Sequence, residues 1–277
     1  MAKKQLIMEK ALELFAEQGF EATSVQQITD HCGISKGAFY LSFKSKDELI
    51  LALIDHFMMQ ITSDIDYIVK NTASNEKLLY AFYYKIFENF NDHSDFAKIL
   101  INEQTQSMNA ELFSKIRHYD QLMEKNILLM VERLYSHVDH TIKYDLVYCI
   151  KGFMSMYSHL FLFFNIPLDL DSLCSSLVEK TDLLARYTTI PFISEELMRI
   201  IEQPCQEEAT KEQILEILTQ KLEDIEEPIE KESLLLLKQD LLNPAFSPAI
   251  VKGLLENIRH NPHCKWISFL LRRYYKF

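Results

Sequence analysis

Glycine is scarce in this chain, and its scarcity constrains the fold more than any other feature. The 277 residues include only 5 glycines and 7 prolines. Turns that need a positive φ must therefore be few, which favours long helices over many short strands. Three of the five glycines, Gly19, Gly33 and Gly37, lie close together near the N-terminus. The sequence predicts an all-α fold whose tightest turns are concentrated in that region.

The first part of the chain predicts two helices with recognisable ends. Apolar residues three or four apart give residues 3–18 one buried face, and Gly19 follows where helices often end in the left-handed conformation. Ser24 and Gln27 have the spacing of a capping box, which begins a second helix. Gly33 ends that helix after about two turns. The segment is a helical pair joined by a tight turn.

Two further helices follow Gly33. Ser35 is a good N-cap for a short third helix, and the capping box at residues 45–48 begins a fourth helix that continues to about Lys70. Two short helices around a glycine turn form a helix-turn-helix, whose second helix enters the major groove of DNA. Gly37 within that helix costs about 0.5–1 kcal/mol relative to alanine. A close approach of the backbone to DNA explains its presence.

Charge is unevenly distributed along the chain. The formal net charge is -11, which by itself argues against a nucleic-acid partner. Residues 195–232 contain 13 acidic and 4 basic residues, a net charge of −9, so the remaining residues together carry only −2. Between Gly33 and Lys46 there are three lysines and no acidic residue. A small basic face therefore remains available for DNA.

This N-terminal region strongly resembles the TetR/AcrR family of transcriptional regulators. The segments that carry the resemblance are ALELFAEQGF (11–20), TSVQQI (23–28), GISKGAFY (33–40) and FKSKDEL (43–49). The resemblance implies contacts with DNA phosphates or bases by Thr23, Ser24, Ser35, Lys36, Gly37, Ala38, Tyr40 and Lys46. Ser42 stands where the family often has His, and Cys32 where it usually has Ala. The alternative is a structural helical hairpin with a lysine-bearing surface, which the ordered caps and the glycine in the third helix disfavour.

The rest of the chain also predicts helices. They are expected at Asn75–Phe90, Ser94–Gln104, Asn109–Ser136, Thr141–Asn165, Asp169–Tyr187, Ser194–Gln203, Gln206–Asp224, Pro228–Leu242, Ser247–Arg259 and Pro262–Tyr275. Prolines become frequent after residue 190, which indicates a separate extension. The expected domains are a three-helix DNA-binding domain (1–46), a helical ligand-binding and dimerisation domain (47–190) and a helical C-terminal extension (191–277).

The family resemblance implies an apolar effector cavity and a dimer formed by the last two core helices. Aromatic residues are frequent in the middle of the chain, either as bulky core or as cavity walls. The predicted cavity residues are Phe82, Phe87, Phe113, Tyr119 and Tyr157. The predicted dimer residues are Phe153, Tyr157, Leu160, Leu173, Leu177 and Leu184. The alternative is that the hairpin of these two helices packs only within its own subunit.

No pattern of catalytic or cofactor-binding residues stands out, so we expect no enzyme, cofactor or metal. His137, Asp139 and His140 are close in sequence but lack a third His or Cys nearby, which favours solvated side chains over a zinc site. The five cysteines are scattered and are expected to be reduced thiols. No signal peptide or membrane span is expected, which predicts a cytoplasmic protein.

Together these patterns predict a ligand-responsive transcriptional regulator. The expected partners are a palindromic double-stranded DNA operator, a second copy of the chain in a homodimer, and an unidentified small effector that is largely apolar. Release from the operator on effector binding would make the protein a repressor. The alternative is a helical adaptor or scaffold that recruits a partner through its charged C-terminal extension.

Overall fold

The computed structural model describes residues 2–103, 110–164, 169–194, 196–197 and 210–277. Within these residues the chain forms helices and connecting turns, and no strand. The helices of the N-terminal half are α1 (Ala2–Gln18), α2 (Val25–Cys32), α3 (Lys36–Tyr40), α4 (Lys46–Asn71), α5 (Asn75–Asp92) and α6 (Ser94–Glu103). The later helices are α7 (Ala110–Leu134), α8 (His140–Phe164), α9 (Leu170–Tyr187), α10 (Lys211–Asp224), α11 (Pro228–Leu242), α12 (Pro248–Arg259) and α13 (Lys265–Tyr274). The expected all-α fold is confirmed.

The helix ends follow the capping signals in the sequence. Ser45 accepts a hydrogen bond from the amide of Glu48 (3.0 Å), and α4 begins there as expected. Thr210 and Gln213 form a reciprocal capping box at the start of α10. The helix predicted at Ser194–Gln203, and the beginning of the one predicted at Gln206–Asp224, lie largely outside the described residues.

The buried side chains form two clusters, and α4 contributes to both. The first cluster contains residues of α1–α3, the N-terminal half of α4, α6, the first turns of α7 and α10–α13. The second contains the C-terminal half of α4 with α5, the rest of α7, α8 and α9. The extension therefore shares a core with the N-terminal helices, so the boundaries expected after residues 46 and 190 do not coincide with these clusters. The long helix α4 connects the two.

The C-terminal helices pack directly against α4. Ser63 donates a hydrogen bond to the carbonyl oxygen of Lys265 (3.0 Å), and the ammonium of Lys265 forms a 2.8 Å ion pair with Asp64. The guanidinium groups of Arg259 and Arg272 lie against the ring of Tyr67. These basic side chains of the extension therefore contact the linking helix α4.

Helix α8 is long and apolar enough, by length and composition alone, to cross a membrane. Only about a third of the most apolar 18-residue stretch of this helix is buried. A single helix of this kind is weak evidence for a membrane protein, because core helices of soluble proteins pass the same criterion. The exposed part of α8 therefore needs another explanation.

Candidate nucleic-acid interface and effector cavity

Hydrogen bonds fix the beginning of α2 and the turn that joins α2 to α3. The hydroxyl of Ser24 accepts a hydrogen bond from the amide of Gln27 (3.2 Å), and the side chain of Gln27 accepts one from the amide of Ser24 (2.8 Å). Gly33 ends α2 with φ of 66°, a conformation that side chains rarely adopt. The amide of Ile34 then donates to the carbonyl of Thr29 (3.0 Å). This closes the turn and sets the angle between the two short helices.

Helix α3 has one buried face and one open face. Phe39 and Phe43 are buried against the first cluster with their rings 6.0 Å apart. Ser35 caps the helix by accepting a hydrogen bond from the amide of Ala38 (3.2 Å). A Cβ added at Gly37 would meet only the hydroxyl of Ser35, at 3.8 Å. The glycine is therefore not required by packing inside the chain.

Most of the residues predicted to contact DNA are exposed to solvent in the structure. Ser24, Ser35, Lys36, Gly37 and Tyr40 are exposed, and Ala38 is half-buried. We call these six residues the recognition face. The hydroxyl groups and the ammonium of Lys36 suit contacts with DNA phosphates. Gly37 has no side chain, so the backbone of α3 can approach the groove of a duplex.

Thr23 departs from the prediction because it is buried. Its hydroxyl donates to the carbonyl of Gly19 (2.7 Å) and accepts from the side-chain amide of Gln18 (3.1 Å). These bonds close the turn after α1 and leave the side chain no exposure to a phosphate. We therefore correct the predicted DNA contact to a structural one. The sequence signal for Thr23 was its position beside the cap, which does not distinguish the two roles.

Lys46 also has a role that its charge did not predict. Its ammonium donates to the carbonyl oxygens of Phe20 (2.7 Å) and Glu21 (3.4 Å) and lies 4.2 Å from the centre of the Phe20 ring. The side chain thus joins the first turn of α4 to the turn between α1 and α2. In this structure Lys46 positions the helices rather than extending toward a partner.

Leu41 was missed by the sequence interpretation. It follows α3 directly and is 91% exposed, the largest exposure of any described bulky apolar residue. A signal was present in the sequence, because Phe39 and Phe43 face the core and Leu41 lies midway between them. An exposed apolar side chain beside Tyr40 adds a surface that suits the methyl group of thymine.

An apolar cavity of about 150 Å³ lies between α4, α5, α6, α7 and α8. Its walls are mainly aliphatic, sulfur-containing and aromatic side chains, with three polar residues among them. The lining residues are Met58, Ile61, Ile86, Asn89, Phe90, His93, Phe96, Ala97, Ile116, Asp120, Met123 and Met154. A concave apolar site with a few polar groups is the usual form of a small-molecule site.

Four of the five predicted cavity residues, Phe82, Phe87, Tyr119 and Tyr157, are not among the residues that line this cavity. Phe82 and Phe87 are fully buried in the second cluster. Tyr119 is buried with its hydroxyl donating to Asp55 (2.8 Å), and Tyr157 packs edge-on against Phe153. The side chain of Phe113 lies outside the described residues. The rotation of each helix, which aromatic content does not fix, decides which side chains face this cavity.

The three polar groups at the cavity differ in their partners. Asp120 accepts a hydrogen bond from Lys151 (2.9 Å), which pairs its charge. Burial lowers the pKa of His93 below its usual value, so that the imidazole is neutral at pH 7. Asn89 is buried, and its Nδ2 has no hydrogen-bond partner. One residue of the cavity wall therefore has a buried amide donor without a hydrogen-bond partner.

The hairpin of α8 and α9 exposes a different apolar face from the one predicted. Leu177 is fully buried, while Phe153, Tyr157, Leu173 and Leu184 pack against the second cluster of their own subunit. Of the predicted dimer residues, only Leu160 is exposed. The exposed bulky side chains on the hairpin are Met156, Leu160, Phe163, Phe164, Leu183 and Tyr187, which we call the hairpin face. On the opposite side of α9, the hydroxyl of Thr181 forms a hydrogen bond with the hydroxyl of Tyr83 (2.8 Å). This contact fixes the buried face of α9 against α5.

Within the described part of the chain, no group of three His, Cys, Asp or Glu residues has the geometry of a metal site. Asp139 accepts hydrogen bonds from the amide and hydroxyl of Thr141, so it serves as a local cap near His140. Cys32, Cys149, Cys174 and Cys264 are free thiols. Cys205 lies outside the described residues.

Comparison with known proteins agrees with this geometry. Residues 7–53 match the family model for bacterial regulatory proteins of the tetR family. The chain is 29% identical over 266 residues to YerO of Bacillus subtilis, described as an uncharacterized HTH-type transcriptional regulator; the alignment covers 92% of this chain and 89% of YerO. The fold resembles a transcriptional regulator from Aquifex aeolicus (TM-score 0.52, 27% identity, 66% of this chain and 99% of that one).

A second solved structure, the regulator FadR of Bacillus subtilis in complex with stearoyl-CoA, has the same fold. The TM-score is 0.57 at 21% identity, and the match covers 67% of this chain and 99% of that one. About a third of this chain is thus unmatched by either solved structure, whereas the alignment with YerO covers nearly all of it. The extra length is shared with YerO.

Proposed function

Because the chain belongs to the TetR/AcrR family of transcriptional regulators, we propose that it is a repressor that binds a palindromic operator as a homodimer. Proteins of this family regulate transcription and are not enzymes. In our proposal a small, largely apolar effector occupies the cavity between α4 and α8 and releases the protein from DNA. The site of action is the cytoplasm, where the operator DNA lies.

The single observation that carries the DNA-binding part is the recognition face. Gly37 faces open space, and a glycine that internal packing does not need is explained by close approach to an external surface. Lys36 and Tyr40 extend from the same short helix into solvent. Ser24 and Ser35 place hydroxyls at the N-termini of α2 and α3, where amide groups favour phosphate. These features support insertion of α3 into a major groove.

The dimer part is supported by the hairpin face. Phe164 and Tyr187 are 70% and 67% exposed, and a cluster of such residues on a soluble protein usually marks an interface. The proposed occupant is the same face of a second copy, because a two-fold dimer presents two α3 helices to half-sites one turn of DNA apart. The same contact explains the exposed apolar part of α8 without a membrane.

The proposed link between cavity and DNA is α4. Met58 and Ile61 of this helix form part of the cavity wall, and the same helix begins at Lys46 beside the helix-turn-helix. An effector that binds better to one position of α4 shifts the population toward that position and changes the separation of the two recognition faces. When the separation of the two recognition faces no longer matches the spacing of the two half-sites, the affinity for the operator falls.

Selection of binding sites from random double-stranded DNA tests the proposal. The full chain should enrich a palindrome whose half-sites lie about 10 base pairs apart, centre to centre, or a multiple of that spacing. A variant with Lys36→Ala and Tyr40→Ala is the control and should enrich no site under the same salt conditions. Enrichment of no sequence by the unmodified chain would overturn the proposal and favour an adaptor role. A reporter gene placed behind the selected site then distinguishes repression from activation.

A further inference from the structure

A wide groove lies between the C-terminal parts of α4 and α7 and the end of α13. Its volume is about 490 Å³, which is in the usual range for small-molecule sites. No described residue lines both this groove and the cavity that we assign to the effector. We call it the basic groove, because its lining side chains include Lys70, Lys125, Arg273 and Lys276. It is a second candidate ligand site.

The charge of the basic groove is opposite in sign to that of the whole chain. Its four cations outnumber its two carboxylates, Asp66 and Glu132, whereas the chain carries a net charge of -11. Asp66 is 1% exposed, and Lys70 forms an ion pair with it (3.1 Å). Lys125 and Lys276 are exposed, so their ammonium groups are accessible to a ligand. A local excess of positive charge in a groove attracts anions.

The residues that follow α13 are fixed beside this groove. Lys276 has a φ of 59°, the only positive value among the described residues other than glycine, and the amide of Phe277 donates to the carbonyl of Arg272 (2.9 Å). The ring of Phe277 stacks on that of Tyr275, with 6.0 Å between the ring centres, and the ammonium of Lys252 lies 5.0 Å from the same ring. These contacts give Lys276 a defined position in the groove wall.

Asn126 adds a hydrogen-bonding group that the rest of the described chain does not use. It lines the groove and is 5% exposed, and its side-chain amide forms no hydrogen bond with another described residue. The enclosed side-chain polar atoms without a partner belong, among the described residues, to Thr62, Asp66, Asn89 and Arg272. Because Asn126 is not one of them, its amide retains accessible surface. That amide can donate to a ligand oxygen in the groove.

We propose that the basic groove binds a small phosphate ester, with the phosphate held by Lys125, Lys276 and Asn126 and the organic part against Leu128 and Leu129. A phosphate ester carries a charge of about −1.5 to −2 near neutral pH and has three acceptor oxygens. It therefore suits donors that come from both α7 and the end of α13 better than a singly charged anion does. This ligand differs in class from the apolar effector, and the site is independent of the proposed function.

Three probes test the class of ligand. Phenyl phosphate and phenyl sulfate have nearly the same shape, but at about pH 7.5 the phosphate carries close to twice the charge. Inorganic phosphate has no organic part. Affinity for the full chain is measured by titration calorimetry at constant ionic strength. Phenyl phosphate should bind roughly 3- to 10-fold more tightly than phenyl sulfate, because it makes stronger charge-assisted hydrogen bonds. Inorganic phosphate should bind more weakly than phenyl phosphate.

Charge variants locate the binding site. The double variant Lys125→Ala, Lys276→Ala should weaken binding of phenyl phosphate by about 10-fold, whereas Glu132→Gln should tighten it, because it removes the exposed carboxylate of the groove. Lys231→Ala and Glu232→Gln make the same charge changes at exposed positions of α11 and are the matched controls. Both controls should leave the affinity unchanged. The melting temperature of each unliganded variant shows that it is folded.

The variant Asn126→Leu tests the buried amide. Leucine has a similar shape but cannot donate, so the affinity for phenyl phosphate should fall by roughly 3- to 10-fold, the range of one hydrogen bond. If this variant does not fold, the lysine and glutamate variants still decide the proposal.

Four results would overturn this inference. These are no binding of phenyl phosphate, equal affinity for phenyl phosphate and phenyl sulfate, unchanged affinity in the double lysine variant, or an affinity for inorganic phosphate as high as that for phenyl phosphate. The last result would indicate an adventitious ion only. Selection of operator DNA is read separately, because neither outcome depends on the other.

Discussion

At the scale of single residues, Gly37 separates the requirements of folding from those of DNA binding. It lies inside α3, where glycine is less stable than alanine, and the nearest atom to an added Cβ is 3.8 Å away. The chain therefore retains a destabilising residue that its own packing does not demand. A partner that approaches the backbone of α3 closely would explain the position.

The substitution Gly37→Ala should stabilise the protein and weaken DNA binding. The expected gain in the free energy of unfolding is about 0.5–1 kcal/mol, because alanine has less backbone freedom to lose. Denaturant unfolding and fluorescence anisotropy with the selected operator measure the two effects. Gly253→Ala in α12 is the matched control, since that glycine also faces open space, and it should stabilise without changing DNA affinity. Unchanged operator affinity in Gly37→Ala would refute close approach at α3.

Lys36 and Lys46 should behave differently although both are lysines of the same motif. Lys36→Ala should leave stability unchanged, weaken binding to all DNA sequences and reduce the slope of log K against log salt by about one. Lys46→Ala should lower the free energy of unfolding, because it removes hydrogen bonds to Phe20 and Glu21 and the contact with the Phe20 ring. Thermal unfolding and salt titrations of both variants test this difference. Equal stability loss in the two variants would contradict the assigned roles.

At the scale of helices, α4 is the element on which the other parts converge. The helix-turn-helix precedes it, and its side chains Met58 and Ile61 line the cavity. Helix α13 packs along its residues Ser63 to Tyr67. The C-terminal helices thus brace the same helix that connects the cavity to the recognition face. This contact explains why the extension shares a core cluster with α1–α3.

Disruption of the extension should therefore loosen the N-terminal helices. Ile267 is fully buried in α13, and Ile267→Ala should cost about 2–5 kcal/mol. The substitution should increase the rate of amide hydrogen exchange more in α1–α3 and α10–α13 than in α8 and α9. Leu177→Ala, in the second cluster, is the matched control and should show the opposite distribution. Faster exchange confined to α10–α13 in Ile267→Ala would show that the extension is energetically separate.

At the scale of the whole molecule, the hairpin face determines the oligomeric state in our proposal. Leu160→Asp places a charge on this face, and burying an unpaired charge against a second copy is strongly unfavourable. Light scattering should detect a dimer of the unmodified chain and a monomer of the variant. Ile229→Asp is the control, because Ile229 is also exposed but lies in α11, away from the hairpin. A dimer that persists in Leu160→Asp would place the interface elsewhere.

Much of the fold and part of the site could be predicted from the sequence because the signals are local. Capping residues such as Ser24 and Ser45 act within one turn, so that helix starts follow from neighbouring residues. The open positions of Lys36 and Gly37 follow from the periodicity of a short helix whose buried face is fixed by Phe39 and Phe43. The structural roles of Thr23 and Lys46 could not be predicted from the sequence, because their partners, Gly19 and Phe20, are reached only when α1, α2 and α4 meet.

The sequence alone determined the all-α class, the helix-turn-helix and most helix ends, since capping and hydrophobic periodicity depend on residues within a few turns of one another. Only the tertiary structure decided which faces of α8 and α9 are open, which side chains surround the cavity and where the extension packs. These outcomes depend on the rotation of each helix against distant neighbours. Both faces of α9 carry apolar residues, so periodicity could not show that Leu177 faces inward and Tyr187 faces solvent.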